Sequence, residues 1–316
     1  MTPRERFLAV TRFETPDRLP LPTLFQCFGR ETIKRWERDG LPKDAHLAAH
    51  FGFDRMELLP IHAGPLPHFE REELEEIEEW RLGLDREFRR KIVNELDAVE
   101  EEFPIRSRQD WTTMQRLLNA ASPARYPRFW DDYTRCLRER DYPVGVCVNG
   151  PLSVLREWLG LCQLTALLVQ DWAFIEEMIE YYTEFIILAM TRAVTDVDVD
   201  FAVIREEMAY KTASLLNSHT MRTRLIAAYE SICELFHDHG VRTIFVESNG
   251  QLDGLLDLWV ESGMNGAYLL EAGAGVDALN LRRRYGRALV LIGNLDHHAF
   301  CKAKRDIADE VRTKVP

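Results

Sequence analysis

The sequence lacks the features of disulfide-rich proteins and of nucleic-acid-binding proteins. Its six cysteines are scattered over 316 residues without a C-x-x-C pair, which excludes a disulfide framework and a zinc ribbon. Positive charge is scarce, because 52 Asp and Glu residues outnumber 40 Lys and Arg residues and give a net charge of −12. Nucleic acids and anionic membrane surfaces bind clustered positive charge, so neither is an expected partner.

Long apolar runs are missing as well. No run reaches the roughly 18 residues that a membrane-spanning helix needs. Segment 1–18 carries charges throughout, which is not the pattern of a secretory signal. Together with unpaired cysteines, these absences predict a cytoplasmic protein. The hydrophobic content of 46% is enough for a sizeable core, and the length suits one large barrel domain or two medium domains.

Segment 241–250, VRTIFVESNG, is the most informative part of the chain. Its β-branched and aromatic residues predict a buried strand that ends at Glu247, and a leucine-rich helical pattern follows Gly250. In an α/β barrel, residues just past the carboxyl end of a strand face the active site. The alternative is that Ser248 or Asn249 only caps the next helix. The same polar ending recurs after other predicted strands, which favours a site.

Strand and helix patterns alternate along the chain, which predicts parallel pairing. Seven strands are predicted, at residues 20–26, 55–61, 144–149, 201–205, 242–247, 266–270 and 289–293. A closed barrel of this kind needs eight strands, so we expect the eighth to lie beyond Pro316. The fold prediction is therefore an α/β protein, a distorted (β/α)8 TIM-type barrel. Residues 1–316 form its single domain, with a hairpin or helical insertion at about 62–142.

Polar side chains gather at the carboxyl ends of these strands. They are Gln26, Arg30, His62, Asn149, Glu206, Glu207, Glu247, Asn249, Glu271, Asn294 and Asp296. Several carboxylates in one concave mouth are costly unless a cation or shared protons relieve their repulsion. Alternatively, some of them pair with Arg156, Arg205 or Lys211. Glu206 and Glu207 are adjacent, so only one of them faces the mouth if the strand continues.

Five segments carry a resemblance to a known family. They are RERFLAVTRFETPDRLP (4–20), NGPLSVLREWLG (149–160), REEMAYKTASLLNSHTMR (205–222), FVESNGQLDGLLDLWVESGMNGAYLLE (245–271) and LVLIGNLD (289–296). Together they resemble the uroporphyrinogen decarboxylase superfamily, which includes the corrinoid-linked methyltransferases that serve coenzyme M and other acceptors. The resemblance covers almost the whole chain and implies a distorted (β/α)8 barrel. Family members run on past the position of Pro316 to a last strand.

The loop after the first strand departs from the decarboxylase pattern. Decarboxylases of this family bind the carboxylates of their substrate through an arginine-rich loop at this place. Here the loop is FQCFGR (25–30), and only Gly29 and Arg30 of the pattern remain. A mouth lined with carboxylates such as Glu207 and Glu247 would repel an anionic tetrapyrrole. Cofactor-independent decarboxylation of uroporphyrinogen or a related carboxylate is therefore the alternative function.

The end of segment 241–250 departs from the methyltransferase pattern. That branch holds zinc through a His-x-Cys pair after its fifth strand and a later cysteine, and the matching positions here are Glu247 and Asn249. The resemblance then implies one of two roles. Glu247 holds a divalent cation such as zinc, together with Glu271 or a residue beyond Pro316. Otherwise, Glu247 is a general acid that protonates a leaving oxygen.

The leading prediction is an enzyme that transfers a methyl group to or from a corrinoid carried by a partner protein. Its predicted catalytic residues are Glu247, Glu207 and Tyr210. The predicted substrate-binding residues are Gln26, Arg30, His62, Asn149, Glu206, Lys211, Asn249, Glu271, Asn294 and Asp296. The expected partners are a small-molecule substrate and the corrinoid protein, with a homodimer left open. A non-catalytic binding barrel is a further alternative, favoured by the lost thiolate and disfavoured by the retained carboxylates.

Overall fold

The computed structural model describes residues 1–22, 30–43, 45, 47–65, 104–209, 218–252 and 254–315. Three predicted site residues, Gln26, Tyr210 and Lys211, lie outside these ranges, and so does the side chain of Arg30. The hairpin predicted within the insertion also lies outside them. The description below therefore concerns the sheet, its flanking helices and most of the loops at the carboxyl ends of the strands.

Six parallel strands pair in chain order within the described residues. They are β1 (Glu57–Leu58), β2 (Val144–Asn149), β3 (Phe201–Arg205), β4 (Ile244–Glu247), β5 (Gly266–Leu270) and β6 (Val290–Gly293). Pro22 forms an isolated parallel bridge with Asp54, just before β1, and lies within the predicted first strand. Sequential parallel strands with helices between them form a distorted TIM barrel, as predicted.

Helices occupy the connections between the strands. They are α1 (Pro3–Thr11), α2 (Arg30–Arg38), α3 (Leu47–Phe51), α4 (Arg108–Leu117), α5 (Trp130–Cys136), α6 (Pro151–Gln170), α7 (Trp172–Asp196), α8 (Ser218–Arg224), α9 (Ile226–Asp238), α10 (Leu255–Glu261), α11 (Ala278–Tyr285), α12 (His297–Phe300) and α13 (Lys304–Lys314). Short 3-10 turns lie at Pro123–Arg125, Leu137–Glu139, Ala272–Ala274 and Gly286–Ala288. The described part of the predicted insertion thus contains α4, α5 and the first two of these turns.

The larger core lies between the sheet and its helices. Val146, Ile204 and Val246 on neighbouring strands are fully buried there, together with Leu155 of α6 and Phe236 of α9. Each fully buried side chain of this size contributes about 1.5–3 kcal/mol relative to an exposed one. This face of the sheet is therefore fixed by packing, which leaves the opposite face of each strand to line the barrel.

An aromatic cluster fills the amino-terminal end of the barrel. Phe7 of α1 packs against Phe201 and Phe245, with ring centroids 5.2 and 6.4 Å away. Gly145 and Gly266 make room for these rings, since a Cβ on either glycine would lie 2.3 Å from a ring carbon. Among the described residues, packed side chains therefore close this end of the barrel.

A buried ion-pair cluster joins α1 to the sheet at the same end. Asp200, just before β3, accepts hydrogen bonds from Arg4 Nε (2.8 Å), Arg140 Nη2 (3.0 Å) and the backbone N–H of Val144 (2.9 Å). Asp200 and Arg140 side chains are each 3% exposed. The negative charge of Asp200 and the positive charge of Arg140 form an ion pair, and buried ions are tolerated when they are paired in this way.

Contrary to the expectation that no apolar stretch is long enough to span a membrane, helix α6 is long and apolar enough when judged by length and composition alone. In the fold it is a packing helix, because Leu152, Leu155 and Leu159 are buried in the core. The helix is interrupted at Gly160, whose φ of 73° and ψ of 159° are not helical. Residues other than glycine rarely adopt this positive φ. Gly160 therefore allows the helix to change direction here.

Candidate functional site

One row of polar residues crosses four neighbouring strands, at the carboxyl ends of β2, β3 and β4 and in the middle of β5. Asn149 of β2 is in register with Arg205 of β3, Arg205 with Glu247 of β4, and Glu247 with Tyr268 of β5. In a parallel barrel, residues at this end of the strands line the mouth. The row therefore places an amide, a guanidinium, a carboxyl and a phenol at one level of the mouth.

The Arg205 and Glu247 side chains point into the barrel. Side chains alternate between the two faces of a strand, and Val203 and Phe245, two residues earlier, belong to the apolar cluster in the barrel interior. Arg205 Nε lies 3.3 Å from Glu247 Oε2. The two side chains therefore form an ion pair between neighbouring strands.

Burial determines the proton affinity of Glu247. The residue is 6% exposed, and this desolvation raises the pKa of its carboxyl group. The positive charge of Arg205 lowers that pKa in part, and the negative charge of Glu207 raises it. A carboxyl group whose pKa is raised in this way holds its proton at higher pH than an exposed one, so it can donate that proton to a bound molecule.

Two further groups lie beside this pair. Burial and the charge of Glu247 raise the pKa of Tyr268 to about 12, so its phenol remains a hydrogen-bond donor. Cys147 lies one interior position below Asn149 on β2, and burial raises the pKa of its thiol to about 12. A thiol with this pKa stays protonated at neutral pH, so Cys147 is a poor nucleophile and a poor metal ligand.

Asn149 and Glu157 form the side of the mouth that belongs to β2 and α6. The amide nitrogen of Asn149 lies 3.4 Å from both carboxylate oxygens of Glu157, and its backbone carbonyl accepts a hydrogen bond from Tyr182. The charge of Glu157 also acts on Arg205, whose pKa is raised by Glu247 and other negative groups against the effect of burial. Arg205 is thus surrounded by carboxylates.

Glu206 directly follows β3, and its side chain points to the side of the sheet that faces α6, away from the mouth. It is fully buried, and its Oε1 atom accepts a hydrogen bond of 2.7 Å from the backbone N–H of Ser153 near the start of α6. A Cβ on Gly150 would lie only 1.6 Å from its Oε2 atom. Burial raises the pKa of Glu206 to about 8. The sequence analysis predicted a substrate-binding residue, but the structure places a helix cap here.

Glu207 remains at the mouth. Its backbone N–H donates a 2.6 Å hydrogen bond to Ser153 Oγ, and its carbonyl accepts one from Arg156 Nη1 at 3.1 Å. The backbone is therefore fixed while the side chain is exposed. The preceding residue, Glu206, donates its backbone N–H to the carbonyl of Glu247 at 2.8 Å, and the negative charge of Glu207 raises the pKa of Glu247. The structure thus brings these two predicted catalytic residues together.

Glu271 and Asn249 flank the loop after β4. Glu271 Oε2 accepts a 3.0 Å hydrogen bond from the backbone N–H of Gly250. Gly250 has a φ of 81°, a conformation that glycine adopts without strain. Asn249, between Gly250 and the buried Ser248, is exposed. Glu271 therefore holds the loop that follows Glu247.

The zinc that the methyltransferase branch implies does not fit at Glu247 and Glu271. A divalent ion at Glu247 would lie close to the guanidinium of Arg205, and two cations repel each other. Glu271 already uses one oxygen to hold the backbone of Gly250. Neither residue supplies the thiolate or imidazole that zinc prefers.

The remaining predicted residues have local structural contacts. His62 Nδ1 accepts a hydrogen bond from the backbone N–H of Gly64 at 3.2 Å. The Asn294 side chain donates to the carbonyl of Val276 at 2.6 Å, and Asn294 itself has a φ of 75°. Asp296 accepts a 3.0 Å hydrogen bond from the backbone N–H of His298 and caps α12. None of these contacts reaches the Arg205–Glu247 pair.

Sequence reasoning did not select Arg205 and Tyr268 as site residues. Arg205 is the last residue of a predicted strand, and the sequence predicts it only as a partner for acids. Tyr268 lies inside GAYLL, which predicts the interior of a strand. The signal that finds both is register: each is the residue paired with Glu247 on a neighbouring strand. Register is a tertiary property that a single strand pattern does not contain.

Parallel strands around a polar mouth define this protein as a TIM-barrel protein, a fold whose ligand sites lie at the carboxyl-end face. A family model described as uroporphyrinogen decarboxylase (URO-D) matches residues 91–315. The chain therefore belongs to the uroporphyrinogen decarboxylase family. The resemblance predicted from the sequence is confirmed, and so is the fold class.

Solved structures support the same fold. A methyltransferase from Methanosarcina mazei is 15% identical and has a TM-score of 0.53, with 93% of this chain and 83% of that chain covered. At this identity the similarity shows the fold alone. A protein named as a candidate phosphonomutase, from Burkholderia cenocepacia J2315, is 16% identical, with 64% of this chain and 75% of that chain covered. Its TM-score of 0.24 is too low to indicate a shared fold. Comparison with curated proteins gives no match.

Proposed function

We propose that this protein is an enzyme that transfers a methyl group between a small molecule and a corrinoid carried by a partner protein. The observation that carries the proposal is the buried Glu247 carboxyl beside Arg205 at the barrel mouth. Membership of the URO-D family and the fold shared with a methyltransferase support it. The substrate is expected at the mouth formed by Asn149, Arg205, Glu247 and Tyr268.

Glu247 supplies the proton that the reaction consumes. When a methyl group leaves an oxygen or another heteroatom, the bond between that atom and the methyl carbon breaks and the heteroatom keeps the electron pair. Protonation by Glu247 turns the departing group into a neutral hydroxyl or its equivalent, and the carboxylate that remains is stabilised by Arg205. The corrinoid, when bound, supplies the nucleophile that takes the methyl group.

The neighbours of Glu247 position this step. Tyr268 stays protonated, so its phenol can donate a hydrogen bond to a substrate heteroatom. Asn149 can present both a donor and an acceptor. The aromatic floor formed by Phe7, Phe201 and Phe245 closes the barrel below and excludes water from that direction. The mouth therefore suits a small, mainly neutral substrate with one polar end.

Decarboxylation of a carboxylate substrate is the alternative, and Arg205 is the observation that favours it. A guanidinium in the barrel can bind a substrate carboxylate, and Glu247 can protonate the carbon from which carbon dioxide leaves. Against it, the negative charges of Glu157, Glu207 and Glu247 all act on Arg205. A tetrapyrrole with many carboxylates would be repelled. The third alternative is a binding barrel without chemistry.

A turnover assay distinguishes the three. The purified protein is incubated with cob(I)alamin and a panel of small O-methyl and N-methyl compounds, and methylcobalamin formation is followed by absorbance. Uroporphyrinogen turnover is measured in parallel. The proposal predicts methylcobalamin formation that falls about 10²–10⁴-fold in Glu247→Gln, as expected for loss of a general acid. Glu230→Gln, an exposed glutamate of α9, is the matched control and should keep the rate.

Each result of these assays supports a different one of the three functions. Conversion of uroporphyrinogen with no methyl transfer would replace the proposal with decarboxylation. Ligand binding without any turnover would leave the non-catalytic barrel. An unchanged methyl-transfer rate in Glu247→Gln would remove this residue from the chemistry. Co-purification of a corrinoid protein with the tagged chain, and its mass in size-exclusion chromatography, test the predicted partner and the homodimer.

A further inference from the structure

We propose that Asp296, His297 and His298 bind a divalent transition-metal ion such as Zn²⁺. One ligand atom from each residue lies within 4.8 Å of the others. Within the described ranges this is the one group of at least three His, Cys, Asp or Glu residues that meets this condition. The site follows β6, at the same end of the sheet as Glu247, but on different residues. It stands independently of the proposed function.

The donor set suits a transition metal. Imidazole nitrogens together with a carboxylate oxygen are typical ligands of Zn²⁺ and of neighbouring divalent metals. His298 Nδ1 lies 3.0 Å from Asp296 Oδ1. Two ligand atoms of a tetrahedral zinc lie about 3.3 Å apart when each is at the usual bond length. A shift of a few tenths of an ångström would therefore bring this pair to a common ion.

The fold gives the two imidazoles room to lie side by side. Their ring centroids are 4.1 Å apart, with an angle of 34° between the planes. The 3-10 turn Ala272–Ala274 passes beside them, and a Cβ on Gly273 would lie 3.3 Å from His298 Cε1 and 3.6 Å from His297 Cε1. Gly273 thus leaves the space that a larger side chain would partly occupy.

The loop that carries the three residues is anchored by α13. The backbone N–H of Asp296 donates a 2.7 Å hydrogen bond to Glu310 Oε1, and Lys314 Nζ donates one of 2.6 Å to the carbonyl of Asn294. Lys314 also pairs with Glu310 at 2.9 Å, which balances its charge near the site. An anchored loop loses less conformational entropy when it binds an ion.

The helix-capping role of Asp296 is compatible with metal binding. Asp296 Oδ1 accepts the capping hydrogen bond from the backbone N–H of His298, and its contact with His298 Nδ1 would be replaced by bonds from both residues to the ion. The described residues supply no hydrogen bond to Oδ2, so this oxygen faces no competing protein donor. Three protein ligands also leave at least one coordination position for water or another small molecule, as in sites where the metal takes part in chemistry.

Titration of the metal-free full chain with Zn²⁺ tests the site. The chain is dialysed against a chelator, and Zn²⁺ affinity is measured by competition with a chromophoric chelator. We expect one ion per chain, and an affinity at least about tenfold weaker in His297→Ala, His298→Ala and Asp296→Asn. His219→Ala, which removes an exposed histidine of α8, is the matched control and should keep the affinity.

Asp296→Asn also separates metal binding from helix capping. Asparagine caps helices as well as aspartate does, so the thermal midpoint of the metal-free variant should match that of the parent chain. Added Zn²⁺ should raise the midpoint of the parent chain but not that of this variant. The proposal is overturned if no stoichiometric Zn²⁺ binding is found, or if all three variants bind Zn²⁺ as tightly as the parent chain does.

Discussion

Arg205 Nε lies 3.3 Å from Glu247 Oε2, across two neighbouring strands in register at the carboxyl end of the barrel. The pair combines a buried carboxyl group with a partly exposed guanidinium, because the Glu247 side chain is 8% exposed and the Arg205 side chain is 44% exposed. Two opposing effects therefore act on the same proton. Burial favours the neutral carboxyl, and Arg205 favours the carboxylate.

The charges around Glu247 should control the pH dependence of activity. If protonated Glu247 is the acid, the rate falls as pH rises through its raised pKa. Arg205→Gln removes a positive charge that lowers this pKa, so the alkaline limb should move to higher pH. Glu207→Gln removes a negative charge that raises the pKa, so the limb should move to lower pH. The measurement is kcat/KM against pH for both variants.

Arg205→Lys is the control for this pair of shifts. It keeps a positive charge, so its alkaline limb should lie closer to that of the parent chain than the limb of Arg205→Gln does. Movement of the limb in the same direction in Arg205→Gln and Glu207→Gln would contradict the electrostatic interpretation. A limb that does not move in either variant would show that another group titrates.

Glu206 should make stability depend on pH. Its folded-state pKa is about 8, against 4.5 for an ordinary glutamate, because burial disfavours the charged form. Between these two values the unfolded chain binds fewer protons than the folded chain, so the free energy of unfolding falls as pH rises. The stabilising contribution is complete below pH 4.5 and is lost as pH rises through the folded pKa. The expected loss is several kcal/mol.

Glu206→Gln tests this linkage, since glutamine keeps the shape of the side chain but does not titrate. Urea unfolding of the parent chain and the variant is compared at several pH values from 5 to 9. The variant should gain stability relative to the parent chain as pH rises. A difference that stays constant over this range would mean that the buried carboxyl does not titrate between the two states.

Gly150 and Glu206 should be energetically coupled. Gly150 has a φ of −72°, which any residue adopts, so alanine there brings no backbone strain. Its Cβ would instead meet Glu206 Oε2 at 1.6 Å. Gly150→Ala should therefore cost about 1–3 kcal/mol, the usual cost of overpacking. Denaturant unfolding measures this change in the free energy of unfolding.

A double-mutant cycle isolates the clash. In a Glu206→Ala background the carboxyl group is gone, so Gly150→Ala should cost much less than it does in the parent chain. A coupling energy near zero would place the cost of Gly150→Ala elsewhere, for example in the start of α6.

The sequence predicts the presence of the strands better than the residues at which they begin and end. Predicted strands 144–149, 201–205 and 266–270 have the same bounds in the structure, because their apolar runs are short and sharply ended. Predicted strand 55–61 is reduced to Glu57–Leu58, and Pro60, which has no N–H for a ladder, follows closely. Strand 242–247 begins at Ile244 instead, because the Asn265 side chain bonds both Ile244 N–H and the Arg242 carbonyl.

The site was predictable in part. The sequence located Glu247 and Glu207, because each follows a clear strand, and two-residue alternation explains why Glu206 faces the helices when its neighbour faces the mouth. The partnership of Glu247 with Arg205 depends on register between β3 and β4. The role of Glu271 as an anchor for Gly250 depends on the positions of two loops that are 21 residues apart in sequence. Neither relationship is contained in a local pattern.

Substitution of Asp200, at the amino-terminal end of the barrel, should lower the free energy of unfolding strongly. It is the buried acceptor shared by Arg4, Arg140 and the Val144 backbone. Asp200→Ala would leave the buried Arg140 without its partner carboxylate, and breaking a buried ion pair from one side costs about 3–5 kcal/mol. Asp198 also pairs with Arg4, at 2.6 Å, but its side chain is 81% exposed, so Asp198→Ala should cost at most about 1 kcal/mol. Denaturant unfolding of the two variants under one condition checks the contrast, and equal losses would show that burial does not set the strength of this cluster.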